Sequence, residues 1–227
     1  MTIDSPNRVR YVADARQLPI PQSLEWLSAA ERDELSFWSN EPRRVQWLAG
    51  RWIAKRMIAR SASCVELREI EVLSRGKDGL GKSPQVSLHG FPHASRLSIS
   101  HCGNSILVGY SGKQTPVGVD LAVDVPQTDS FLAAWYSQNE RNWIGIQPTY
   151  RAAVLWGLKE SIFKACGEGR KWNPAAIAID TFDDFQVRGQ IQGHTLPPLR
   201  TWFRNVAGGV ATAVWCCEND KEVALCS

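Results

Sequence analysis

The order of segments in the second half of the chain limits the fold more than any other feature. Four short apolar runs, at 176–180, 184–192, 199–205 and 209–216, follow one another, with turn signals at Gly193 and Gly208-Gly209 separating the last three. Connections this short join strands in antiparallel fashion, because a parallel return needs a crossover of a dozen or more residues. Ahead of these runs, residues 128–142 and 149–166 read as helical. The first half has a similar order. Arg8 to Val12 alternates as a strand, and Ser28 followed by Glu31 has the capping-box pattern of a helix start. A second helix is predicted after Glu41-Pro42, from Arg43 to about Ser61. A strand near Glu69–Leu73, a glycine- and lysine-rich loop at 74–84, and a strand pair at 96–101 and 105–110 come next. Pro116–Val123 alternates as a further strand. Helices followed by antiparallel strands, twice over and without sequence identity between the halves, predict an α+β fold of two similar lobes.

At 227 residues the chain can form one domain or two small ones. A net charge of +3 is too small for a dedicated nucleic-acid binder, although it allows local basic patches. The start, MTIDSPNRVRYVADAR, lacks the apolar core of a signal peptide, and no apolar run is long enough to span a bilayer, so a cytoplasmic protein is expected. The six cysteines show no zinc-like spacing. Adjacent Cys216 and Cys217 point to opposite faces of a strand, so reduced thiols are expected. The ten tryptophans should mostly serve cores or interfaces.

Four constellations could carry chemistry. In Gly118-Val119-Asp120-Leu121-Ala122 a single acid sits on an otherwise apolar strand, where a metal is one way to pair it and solvent exposure is the other. In Trp156-Gly157-Leu158-Lys159-Glu160-Ser161-Ile162-Phe163-Lys164, Glu160 and Lys164 share one helical face, while Leu155, Leu158, Ile162 and Cys166 form a buried stripe. Ile99-Ser100-His101 closes a strand at a turn, where an imidazole and backbone amides can donate to phosphate. Finally, Arg44, Arg51 and Lys55 fall within roughly 40° of one another around their helix, and Lys77 and Lys82 lie on the nearby loop, a set that could hold a multiply charged phosphate ligand.

Taken in order, these residues resemble the Sfp-type 4′-phosphopantetheinyl transferases. The resemblance rests on Leu48-Ala49-Gly50-Arg51, Gly81-Lys82-Ser83-Pro84, Ile99-Ser100-His101, Gly118-Val119-Asp120, and Trp156 through Lys164 followed by Gly167-Glu168-Gly169. Tyr136-Ser137-Gln138-Asn139-Glu140 looks like the family's Phe-Ser-x-x-Glu element. The resemblance covers about residues 43–170 and implies an intramolecular pseudo-dimer, with lobes at 1–115 and 116–227 and coenzyme A in the cleft between them. It implies a cytoplasmic, monomeric holo-[carrier protein] synthase. Such an enzyme moves 4′-phosphopantetheine from coenzyme A to a serine of an apo acyl or peptidyl carrier protein and releases adenosine 3′,5′-bisphosphate.

Carried over by position, Asp120 and Glu160 would hold Mg²⁺, and Lys164 would stand beside the reacting phosphate. His101, with Ser100 beside it, would contact the phosphates, and Lys82 and Arg44 would receive the 3′-phosphate and adenine end. Lys77, Arg51 and Lys55 join the coenzyme A set from charge geometry. The serine proton would pass to Glu160 or to a metal-bound water. The chain departs from the pattern at Ala122, where many relatives carry glutamate, and Asp124 lies roughly 13 Å along the strand from Asp120. It departs again at Ser83, which interrupts Gly-Lys-Pro. The competing readings are a non-catalytic relative that binds coenzyme A or carrier protein, and a nucleic-acid binder with steep salt dependence.

Overall fold

The computed structural model describes residues 7–62, 65–76, 81–112, 114–183 and 185–217. Among these the fold is α+β, with five α-helices and several antiparallel sheets. The chain divides into two compact units, Met1–Gln114 with Val119–Leu121, and Thr115–Gly118 with Ala122–Ser227.

The first unit opens with β1 (Asn7–Val12), then α1 (Ala29–Ser36) and α2 (Glu41–Ser61). Ser28 caps α1 in a complete capping box with Glu31, as its spacing predicts. Asn40 caps α2 and Pro42 sits in its first turn, where a missing N–H costs nothing, so the helix begins two residues earlier than predicted. The strands β2 (Ile70–Arg75), β3 (Gly81–Leu88), β4 (Phe91–Pro92), β5 (Arg96–Cys102) and β6 (Ser105–Ser111) form two antiparallel sheets, in orders β1-β6-β5 and β2-β3-β4. Residues 81–84, read from sequence as loop, belong to β3. Pro84 is tolerated there because the register shifts between Leu73 and Arg75, which interrupts the ladder opposite it. The core joins Ala49, Ile53, Ala54 and Ile58 of α2 to Val72, Ile106, Val108 and Tyr110, and a second cluster gathers Trp26, Leu27, Leu35, Trp47 and Trp52.

The second unit repeats this order with β7 (Val117–Val123), whose middle residues Val119–Leu121 belong to the first unit, then α3 (Asp129–Trp135), α4 (Gln138–Ile144), α5 (Pro148–Cys166), β8 (Ile177–Phe182), β9 (Gln186–Ile191), β10 (His194–Thr195), β11 (Leu199–Val206) and β12 (Gly209–Cys216). The pairings β7-β12-β11 and β8-β9-β10 repeat β1-β6-β5 and β2-β3-β4, except that β11 also pairs with β9 and merges the two sheets. Residues 128–142 do not form one helix, as their pattern predicts. Tyr136 is extended, and Ser137 with Glu140 starts a new helix through a second capping box. The core here packs Val154, Leu155, Leu158 and Ile162 of α5 against Ile177, Ile179, Val210 and Val214. No helix among the described residues is long and apolar enough to cross a membrane.

Candidate active site

Two glycines set how closely α5 approaches its sheet. A Cβ on Gly118 would lie 1.8 Å from the Ser161 carbonyl oxygen, and one on Gly157 would lie 2.8 Å from the Thr212 side chain. Ser161 Oγ and Thr212 Oγ1 are 2.8 Å apart across the same contact. Beside this buried contact, α5 presents Glu160 and Lys164. Trp156 Nε1 donates to Glu160 Oε1 at 3.1 Å, and Lys164 Nζ lies 3.3 Å from Glu160 Oε2. Both charged side chains keep a little under a third of their surface exposed, Lys164 at 28% and Glu160 at 29%. The Trp156 ring is held in turn by Phe131 and Trp172, with centroids 5.4 and 6.1 Å away. The expected shared face of Glu160 and Lys164 is therefore present, with the carboxylate oriented by an indole and an ammonium group.

Lys159, next to Glu160 in sequence, turns the other way. It is 1% exposed, and its Nζ donates to Trp135 O, Glu140 Oε2 and Pro174 O at 2.8, 2.9 and 3.2 Å. Glu140 Oε1 in turn accepts from Ile179 N at 2.9 Å. The first unit contains the same clasp. Lys55 Nζ donates to Trp26 O at 2.9 Å and to Glu31 Oε2, while Glu31 Oε1 accepts from Val72 N at 3.1 Å. Burial pulls both lysines below their usual range, against the opposing pull of Glu140 and Glu31.

This clasp corrects the expected basic face of α2. Lys55 is 0% exposed and is occupied by Glu31. Arg51 is 4% exposed; its Nη2 lies 2.8 Å from Glu34 Oε1, its Nε donates to Val72 O, and its guanidinium stacks 4.4 Å over Trp47. Burial pulls Arg51 down to about 10, against the carboxylates of Glu34 and Glu31. Both groups serve the interior of the fold, because helical angle alone does not say which side meets buried acids. Arg44 is half-buried on α2, Lys82 is exposed on β3, and Lys77 lies outside the described residues.

Asp120 is buried, at 4% exposure, which rules out the solvent-facing alternative. Its Oδ1 accepts from Ser100 Oγ at 2.9 Å. Ser98 and Ser100 alternate along β5 and accept from Val119 N and Leu121 N at 3.0 and 3.2 Å. The serine beside the histidine thus positions the strand acid. His101 projects from the other face of β5 and is exposed, and Arg43 Nη1 donates to its ring, 3.1 Å from Nδ1. Gln46 holds the following turn by donating to Gly103 O at 2.6 Å. Arg43 carries little signal in the sequence, since an arginine in the first turn of a helix three residues before a glutamine is too common to single out.

Asp120 falls in the first unit and Glu160 in the second. Among the described residues, no group of three or more His, Cys, Asp or Glu side chains comes together. The position after Leu121 is filled by Ala122, which is 7% exposed.

Residues 116–225, a segment that includes Asp120, Glu160 and Lys164, match the family model of the 4′-phosphopantetheinyl transferase superfamily. The match and the α+β fold support a transferase of the phosphopantetheinyl type, a family that uses coenzyme A. No curated protein matches the chain.

Proposed function

We propose that the chain is an Sfp-type holo-[carrier protein] synthase, transferring 4′-phosphopantetheine from coenzyme A to a serine of an apo acyl or peptidyl carrier protein. The observation that carries this reading is the oriented Glu160–Lys164 pair on α5, inside the segment that matches the superfamily. The reaction cleaves a pyrophosphate at its pantetheine-side phosphorus, and charge builds on the phosphoryl oxygens, so positioning and charge stabilisation do most of the work. Lys164 supplies a fixed cation one helical turn from Glu160. Arg43 and His101 supply a second cationic, hydrogen-bonding group suited to phosphate, and Lys82 an exposed charge suited to the 3′-phosphate.

By the resemblance, Asp120 and Glu160 would each offer magnesium a carboxylate, the hard oxygen donor this ion prefers. Two protein carboxylates suit an ion that commonly keeps several waters and takes the rest of its shell from substrate phosphates. When bound, the ion supplies Lewis-acid stabilisation of phosphate oxygens. Ser100 keeps the Asp120 oxygen oriented, and the serine proton would pass to Glu160 or to a metal-bound water. The experiment is a transfer assay with coenzyme A, magnesium and a panel of apo carrier proteins, read as a mass gain of one phosphopantetheine arm. Binding of coenzyme A without any gain across the panel would favour the non-catalytic relative.

A further inference from the structure

At the C-terminal end of α5, helix and sheet end together on two thiols. Cys166 is the last residue of α5 and Cys216 the last of β12, and their Sγ atoms are 3.8 Å apart. Both are half-buried. A disulfide requires about 2.05 Å between sulfurs, a gap that side-chain rotation can close. The helix and the strand already pack against each other through Ser161 and Thr212, so the bond would join elements that are held in place.

We propose that Cys166 and Cys216 form a reversible dithiol–disulfide pair, a modification site that ties the C-terminus of α5 to the end of β12. The two thiols are not equivalent. Their shared hydrogen bond, with burial adding to it, pushes the Cys166 thiol up, whereas the same bond holds Cys216 below its usual range. Either thiol can open the exchange as its thiolate, and the steps balance in the same way from Cys216 or from Cys166. Toward a small disulfide oxidant such as oxidised glutathione, Cys216 Sγ bonds to one oxidant sulfur and the other leaves as a thiolate. Cys166 then gives its proton to solvent, and its sulfur displaces the second glutathione thiolate from Cys216. Two protein thiols lose two electrons and two protons, and one oxidant disulfide becomes two thiols. Cys217, the next residue, projects to the opposite face of the strand end. The bond would restrain the last turn of the helix that carries Glu160 and Lys164, with Cys166 two residues beyond Lys164.

The test is independent of any transfer activity. The full chain is incubated with oxidised glutathione, free thiols are alkylated, and an unreduced digest is mapped by mass spectrometry. The expected product is a crosslinked peptide containing Cys166 and Cys216, lighter by two hydrogens than its parts and lost on adding dithiothreitol. Cys217→Ser keeps this product and Cys216→Ser abolishes it. Full alkylation of both thiols, a crosslink through Cys217 instead, or persistent glutathione adducts on Cys216 would each overturn the proposal. If Cys216→Ser does not fold, the mapping of the unsubstituted chain and of Cys217→Ser decides alone.

Discussion

Lys159 and Glu140, 19 positions apart in sequence, meet at 2.9 Å as a fully buried ion pair. Lys55 and Glu31 repeat the arrangement in the first unit, down to the tryptophan carbonyl and the strand amide that complete each clasp. Breaking such a pair by removing one partner leaves an uncompensated charge in the interior. Lys159→Ala is expected to cost about 3–5 kcal/mol in denaturant unfolding, and Lys55→Ala a similar amount. A loss below about 1 kcal/mol in both would mean that the acids find other partners.

The carboxylates proposed for the metal give a different outcome. Asp120→Ala and Glu160→Ala are each expected to lower transfer on the order of 10²–10³-fold or more, while circular dichroism shows an intact fold. Removing magnesium with a chelator should have the same effect on the unsubstituted chain and be reversed by adding magnesium. Wild-type rates in either variant would remove both carboxylates from the chemistry.

Lys82 is exposed on β3 and makes a clean probe of ligand reading. Lys82→Ala is expected to weaken coenzyme A about tenfold or more while leaving 3′-dephospho-coenzyme A nearly unchanged, since only the former presents the 3′-phosphate. Calorimetric titration of both ligands checks this, and equal losses would take Lys82 out of the phosphate set.

Gly118 tests the closeness of β7 and α5. Because its Cβ would lie 1.8 Å from Ser161 O, Gly118→Ala is expected to destabilise the chain by about 1–3 kcal/mol through forced separation of helix and strand. Thermal unfolding checks this, and an unchanged melting temperature would show that the contact can relax freely.

Much of this was legible from residues alone. Ser28 and Glu31 announced a helix start, and the turn glycines placed the hairpin strands. The spacing of Glu160 and Lys164 put them on one face, where they are found. The failures share one cause, tertiary partners that spacing does not reveal. Arg51 and Lys55 carried the right angle for a basic face but met Glu34 and Glu31 instead. Ser137 looked like an interior helix residue, although it stands before Glu140 as Ser28 stands before Glu31, and that match was the available signal for the break. Arg43 became visible only once His101 was placed beside it.

The buried lysines also act as rotational pins. Each fixes the angle of its helix about its own axis, so the next residue along is turned outward whatever it is. In one half that residue is Arg56, in the other Glu160. A position turned outward by its neighbour can change from base to acid without disturbing what lies beneath. The charge at that position is thus set separately from the buried clasp in each half.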